Sequence, residues 1–209
     1  MVELQIGTYG WRHDDWVGDF YPDDLPEAWQ LDYFSNVYRV VLVPQAEWCT
    51  WSQQTKQEIA ESMEESFGLY LALDNDLNGG VKNRQILSQL EDIVSSLGDS
   101  ILGVVVWSES PFTSLALLPR PITLISSQYV LSGWQWCREG VKISGNPFGW
   151  IEQLPENGKK QAALLTDFVA SFSDDDHAKR NVLPFIVGGE EINMEQVANL
   201  KTISELLGY

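Results

Sequence analysis

The sequence predicts an α/β protein built on a parallel sheet. Two patterns predict it. Short β-branched runs alternate with amphipathic stretches along the 209 residues, and repeated βα units mean parallel strands. Several of the strand runs are apolar on successive residues, as strands covered on both faces must be. With this many units, a (β/α) barrel and a doubly wound sheet are both open. No repeat, low-complexity tract or linker divides the chain, so residues 1–209 read as a single domain.

The first strand is expected at Leu4–Thr8. It runs into a stretch, LQIGTYGWRHDDWVGDFYP, with the periodicity of neither helix nor strand. Its glycines and aromatics suggest a loop whose shape is fixed by packing, at the carboxyl end of a strand, where ligands sit in α/β proteins. A helix follows over Pro26–Asn36, a strand over Tyr38–Val43, a helix over Thr50–Glu65 and a strand over Gly68–Leu73. Over Lys82–Leu97 the apolar residues Ile86, Leu87, Leu90, Ile93 and Val94 recur at three and four, the helical period. Strands are expected at Ile101–Trp107, Ile122–Ser126, Gly140–Ser144 and Val182–Val187, with a helix over Lys159–Phe172. The last helix, Asn193–Leu207, repeats the pattern in Val197, Leu200, Ile203, Leu206 and Leu207, and Gly208 stops it. The Ser173–Asp176 run reads as a solvated turn.

Composition narrows the function. The net charge is −17, from 13 basic and 30 acidic residues. No three basic residues cluster, so a nucleic-acid partner is not expected; solubility accounts for the acidity. The longest apolar run, Ile101–Trp107, suits a buried strand and not a membrane span. The MVELQIG start shows no basic stretch before an apolar one, so no secretory signal is expected. Cys49 and Cys137 have no metal or redox spacing. A cytoplasmic protein with unpaired thiols is the expectation.

Few motifs carry chemistry. DNDLNGG, from Asp74, satisfies the first half of a calcium loop. Gln85 stands where the bidentate Glu is needed, so a turn rich in Asx and Gly is the better reading. Asp74 still falls at the tip of the third strand. His13-Asp14-Asp15 offers adjacent groups that point different ways. With only His13 and His177 in the chain, a His-rich metal centre is impossible. No G-x-S-x-G elbow or dinucleotide fingerprint occurs. Gly188-Gly189-Glu190-Glu191 reads as a tight turn whose acids enter the first turn of a helix, because two acids beside the glycines disfavour phosphate. Nine tryptophans are the oddest feature, with Trp11, Trp48 and Trp107 falling at strand ends or just after them. Such aromatics either stack on a ligand or fill an empty mouth.

GTYGW followed by W-x-G-x-FYP-x-x-LP resembles the start of the YecE-like family, also called domain of unknown function 72. Gly7, Thr8, Gly10, Trp11, Trp16, Gly18, Phe20, Tyr21, Pro22, Leu25 and Pro26 match in order. Asn199, Ile203, Leu206 and Leu207 are comparable to the family's closing helix. The resemblance implies a TIM-like barrel and no established activity. Departures from the family pattern fall at the barrel mouth. The family's Glu and Asn on the second strand fall on Val41 and Val43. A Lys of the third strand becomes Ala72 or a neighbour, and a Gln after the fourth falls on or near Trp107. The fifth strand's acid and Arg-His pair have no counterpart in Thr123–Ser127. R-x-H-G reads Lys142-Ile143-Ser144-Gly145, and an Asn-Asn pair reads Gly188-Gly189.

The chain is also short for a barrel. About 16 residues separate the fifth strand from Lys142, too few for a crossover and its strand. The expected fold is therefore a TIM-barrel-like parallel (β/α) barrel, incomplete or distorted, of about seven strands. Two functions follow. The first is a non-enzymatic small-ligand-binding or protein-interaction module, with Tyr9, Trp11, His13, Trp48, Asp74, Trp107 and Lys142 at or near the mouth and no cofactor or metal. The second is a metal-dependent hydrolase or isomerase acting on a sugar or phosphoester, using Asp74 with Glu47 or Glu109 and His13. Trp134, Trp136, Phe148 and Trp150 either plug the place of the missing unit or, exposed, ask for a partner such as a second copy. The plug is favoured.

Overall fold

The computed structural model describes residues 3–64, 66–74, 81–110, 120–172 and 182–209. The acidic turn at 173–176, His177, Lys179, Arg180 and positions 75–80 of the calcium-like loop lie outside the described residues.

The protein is a mixed α/β fold. Its strands are β1 (Glu3–Tyr9), β2 (Val40–Val43), β3 (Gly68–Leu73), β4 (Ile101–Trp107), β5 (Ile122–Ser126), β6 (Trp134–Arg138), β7 (Val141–Gly145), β8 (Gly149–Ile151) and β9 (Val182–Val187). Its helices are α1 (Gln30–Val37), α2 (Gln45–Trp48), α3 (Gln53–Ser62), α4 (Val81–Leu97), α5 (Gly158–Ala170) and α6 (Met194–Leu207). The hydrogen-bonded strand order is β6-β7-β5-β4-β3-β2-β1-β9-β8.

Two compact units divide the chain: Met1–Val41 with Pro147–Tyr209, and Leu42–Asn146. In the first, β1 runs parallel to β9 and β9 parallel to β8. Helix α6 is capped by the Asn193 side chain, which accepts from the Gln196 N–H, and ends at Gly208 in the left-handed region, as the sequence predicts. Asn157 caps α5 in the same way. In the second unit β3, β4 and β5 are parallel. All six residues of β3 are buried, which explains why that run is apolar without alternation.

The expectation of an all-parallel barrel of about seven strands is corrected here. Nine strands are described, and β7 pairs antiparallel with both β5 and β6. The reason is local. Arg138 pairs with Val141, leaving a two-residue turn in which Glu139 and Gly140 both have positive φ, at 51° and 83°. That is the turn whose twist matches a β-hairpin. A hairpin connection needs only about two residues where a parallel crossover needs about a dozen or more, so a hairpin fits the short stretch after β5. Trp134, Trp136 and Phe148 are buried and Trp150 half-buried, so these four do not form the exposed aromatic patch.

Candidate functional site

In the first unit, the carboxyl ends of the parallel strands β1, β9 and β8 share one edge. The opening loop starts there and is locked by its own aromatics. The Trp16 indole N–H donates to the Ile192 carbonyl at 3.0 Å, and the Tyr21 hydroxyl donates to the Trp11 carbonyl at 2.5 Å. Trp16, Phe20, Tyr21, Phe34 and Tyr38 form a continuous set of ring contacts. His13 stacks on Trp16 at 4.2 Å, and its Nε2 lies 2.9 Å from the Tyr9 carbonyl. A carbonyl only accepts, so this contact assigns the proton to Nε2. Trp11 is fully buried. The loop's sequence signature is thus a packing device.

The same edge is closed by a second tryptophan. Tyr9 meets Trp150 edge to face at 5.7 Å. Trp150 lies so close over Gly188 that a Cβ there would come within 2.0 Å of the indole. The absence of a side chain at 188 is what gives the ring its place. Of the sequence-nominated residues, this edge brings Tyr9 and His13 together and puts Trp11 in the core.

In the second unit, the edge formed by the ends of β3, β4 and β5 is more polar. Helix α2, entered through Pro44, folds back on β3. The Trp48 indole N–H donates to the Ala72 carbonyl at 2.7 Å, and the Asp74 N–H donates to Gln45 Oε1 at 2.8 Å. These two bonds tie α2 to the carboxyl end of β3. Trp48 is buried and cannot stack on a ligand. The Asp74 residue is exposed, yet partial burial of its carboxyl pushes it above the ordinary value. Cys49, one residue past α2, is also pushed up by burial, and a hydrogen bond from Gln45 offsets part of that. Glu47 is half-buried on α2.

Trp107, half-buried, ends β4 and pairs with Ile125 of β5. Lys142 of β7 pairs with Ser126, and its Nζ donates to the Gln128 carbonyl at 3.4 Å. Glu109 lies against the turn that follows β5. Its carboxylate accepts from the Ser127 N–H at 2.7 Å, the Ser127 hydroxyl at 2.8 Å and the Ser126 hydroxyl at 3.1 Å. Those bonds, led by the Ser127 N–H, hold the carboxyl below its ordinary value. Sequence reasoning named Glu109 but missed Ser126, Ser127 and Gln45. Two serines closing a strand are a turn signal, and that was the available clue. Among the described residues, no three His, Cys, Asp or Glu side chains gather to hold a metal ion.

The sequence model of the family described as Protein of unknown function DUF72 matches residues 5–108. The chain belongs to the DUF72 family. The match takes in Tyr9, Trp11, His13, Trp48, Asp74 and Trp107, and stops before Lys142. The structure is similar to a crystal structure of a DUF72 family protein (TM1631) from Thermotoga maritima, with a TM-score of 0.58 over 99% of this chain and 100% of that one. The two share 11% identity, so the likeness is one of fold. No curated protein matches the chain. DUF72 is a family of unknown function, so the activity of this member must be argued from its own residues.

Proposed function

We propose that this DUF72 protein is catalytically degenerate and binds a small molecule without converting it. The scaffold, on this reading, is TIM-barrel-like, with the β6–β7 hairpin standing in place of a sixth βα unit. One observation carries the proposal: Trp150 lies on Gly188, so a polar side chain at that strand end is replaced by an indole. With Trp150 over Gly188, that position offers no group to move a proton or polarise a bond. The second unit's edge keeps a half-buried indole, amides and hydroxyls, the groups that orient a ligand. Asp74 favours one rival, the hydrolase or isomerase, because a carboxyl pushed upward suits proton transfer.

The test is a panel of sugars, sugar phosphates and phosphoesters, with and without divalent metal, followed by melting temperature and by product formation. The expected result is a specific thermal shift and no product. Product formation that is abolished in Asp74→Asn would overturn the proposal in favour of the rival.

A further inference from the structure

Glu109 has a set of hydrogen-bond partners that the ligand-binding reading does not itself require. Its carboxylate rests in a cradle made by the neighbouring strand end. The Ser127 N–H and hydroxyl and the Ser126 hydroxyl all point at it, and the Gln128 N–H adds to them. Ser126 is 1% exposed. Its oxygen also accepts from the N–H groups of Gln128 and Tyr129, at 3.2 and 3.0 Å. These bonds fix the turn and aim its donors outward. Lys142 supplies a positive charge at the same turn through the Gln128 carbonyl. Clustered N–H and O–H donors with a cation beside them form a site for an anion.

Glu109 is the anion that occupies it, and it differs from the cradle in one respect. The cradle is fixed by β5, β7 and a buried serine. Glu109 comes from just past β4 and is itself exposed. An exposed side chain held only by its head group can leave without disturbing the core.

We propose that the Ser126–Gln128 turn and Lys142 form a binding site for the oxyanion of a small ligand, a carboxylate or a phosphate, and that Glu109 fills the site until the ligand displaces it. This rests on the ligand-binding reading above and names the chemical class of the ligand. The acidity of the chain makes the device physically sensible. With net charge −17, open anion donors would be satisfied poorly by solution anions, and a tethered carboxylate satisfies them at high effective concentration.

The test uses Glu109→Ala, which empties the cradle. Wild type, Glu109→Ala and Glu109→Ala/Lys142→Met are melted in chloride, inorganic phosphate and citrate at equal ionic strength. The expected result is a rise of about 5 °C or more for Glu109→Ala in phosphate or citrate. Wild type should show little or none, and the double variant should lose most of it. The anion acting at the lower concentration separates phosphate from carboxylate. Equal responses in wild type and Glu109→Ala would mean general salt stabilisation and would overturn the proposal. Should Glu109→Ala fail to fold, Glu109→Gln keeps the acceptor but removes the charge. Phosphate or citrate should then move the Ser127 and Gln128 amide resonances, and resonances that stay still would sink the idea. Turnover in the substrate panel would defeat the non-catalytic reading while leaving this titration untouched.

Discussion

At the scale of single residues, Gly188 and Trp150 decide what the first unit's edge can do. The resemblance read from the sequence implies amides at 188 and 189. In the structure an indole occupies the space beside Gly188. Restoring the amide should therefore be costly. Gly188→Asn is expected to lower the melting temperature by roughly 3–10 °C, the range for forcing atoms into a packed site. Trp150→Ala also destabilises, but the double variant should melt well above the sum of the two losses, because the clash is gone. Strict additivity would show that the two side chains do not compete. This part of the site was only half legible. The resemblance implied that polar groups are missing there, whereas the contact of Trp150 with Gly188 joins residues far apart in the chain. The anion cradle was less legible still, since most of its donors are backbone or hydroxyl groups aimed by a turn.

At the scale of elements, the helices and long strands follow from pattern. β4, β5 and β9 lie where the apolar runs put them, because a buried strand has no other way to satisfy its backbone. The misses have separate causes. α2 has four residues and β8 three, too few to show a period. β6 did show one: Trp134 and Trp136 alternate with Gln135 and Cys137, and the structure buries the first pair and exposes the second. That alternation is a strand signal, masked because a run of aromatics fits a plug equally well. The hairpin turn gives a prediction of its own. Glu139 is the one non-glycine residue at positive φ among those described, a conformation that costs an L residue about 1–2 kcal/mol. Asn tolerates it, and Asn-Gly is the favoured pair for this turn. Glu139→Asn should raise the melting temperature by about 2–4 °C. Its exposed contact with Arg138, at 3.3 Å, is worth too little to cancel the gain. A lower melting temperature would mean that the turn differs from the one described.

At the scale of the whole molecule, buried ionisable groups set limits on pH. Burial pushes the Tyr38 phenol up to about 12, against about 10 in an unfolded chain. Between those values the unfolded chain gives up a proton that the folded one keeps. Stability from this group is therefore complete below pH ~10 and declines as pH rises toward 12. In an alkaline titration, the difference in tyrosinate absorbance between wild type and Tyr38→Phe should appear in that window, together with the change in circular dichroism. A difference already present at about pH 10 with the fold intact would contradict the burial.

The pairing of β1 with β9 has a consequence in time. Of the described strands β1 is made first, yet one of its two neighbours, β9, begins only at Val182. The second unit, a continuous stretch from Leu42 to Asn146, has all its parts long before then. The first unit has to wait for the last quarter of the chain. During that wait β1 carries an unpaired edge, the kind of surface that joins other chains. Synthesis from the amino end thus leaves one edge of β1 open until β9 is made.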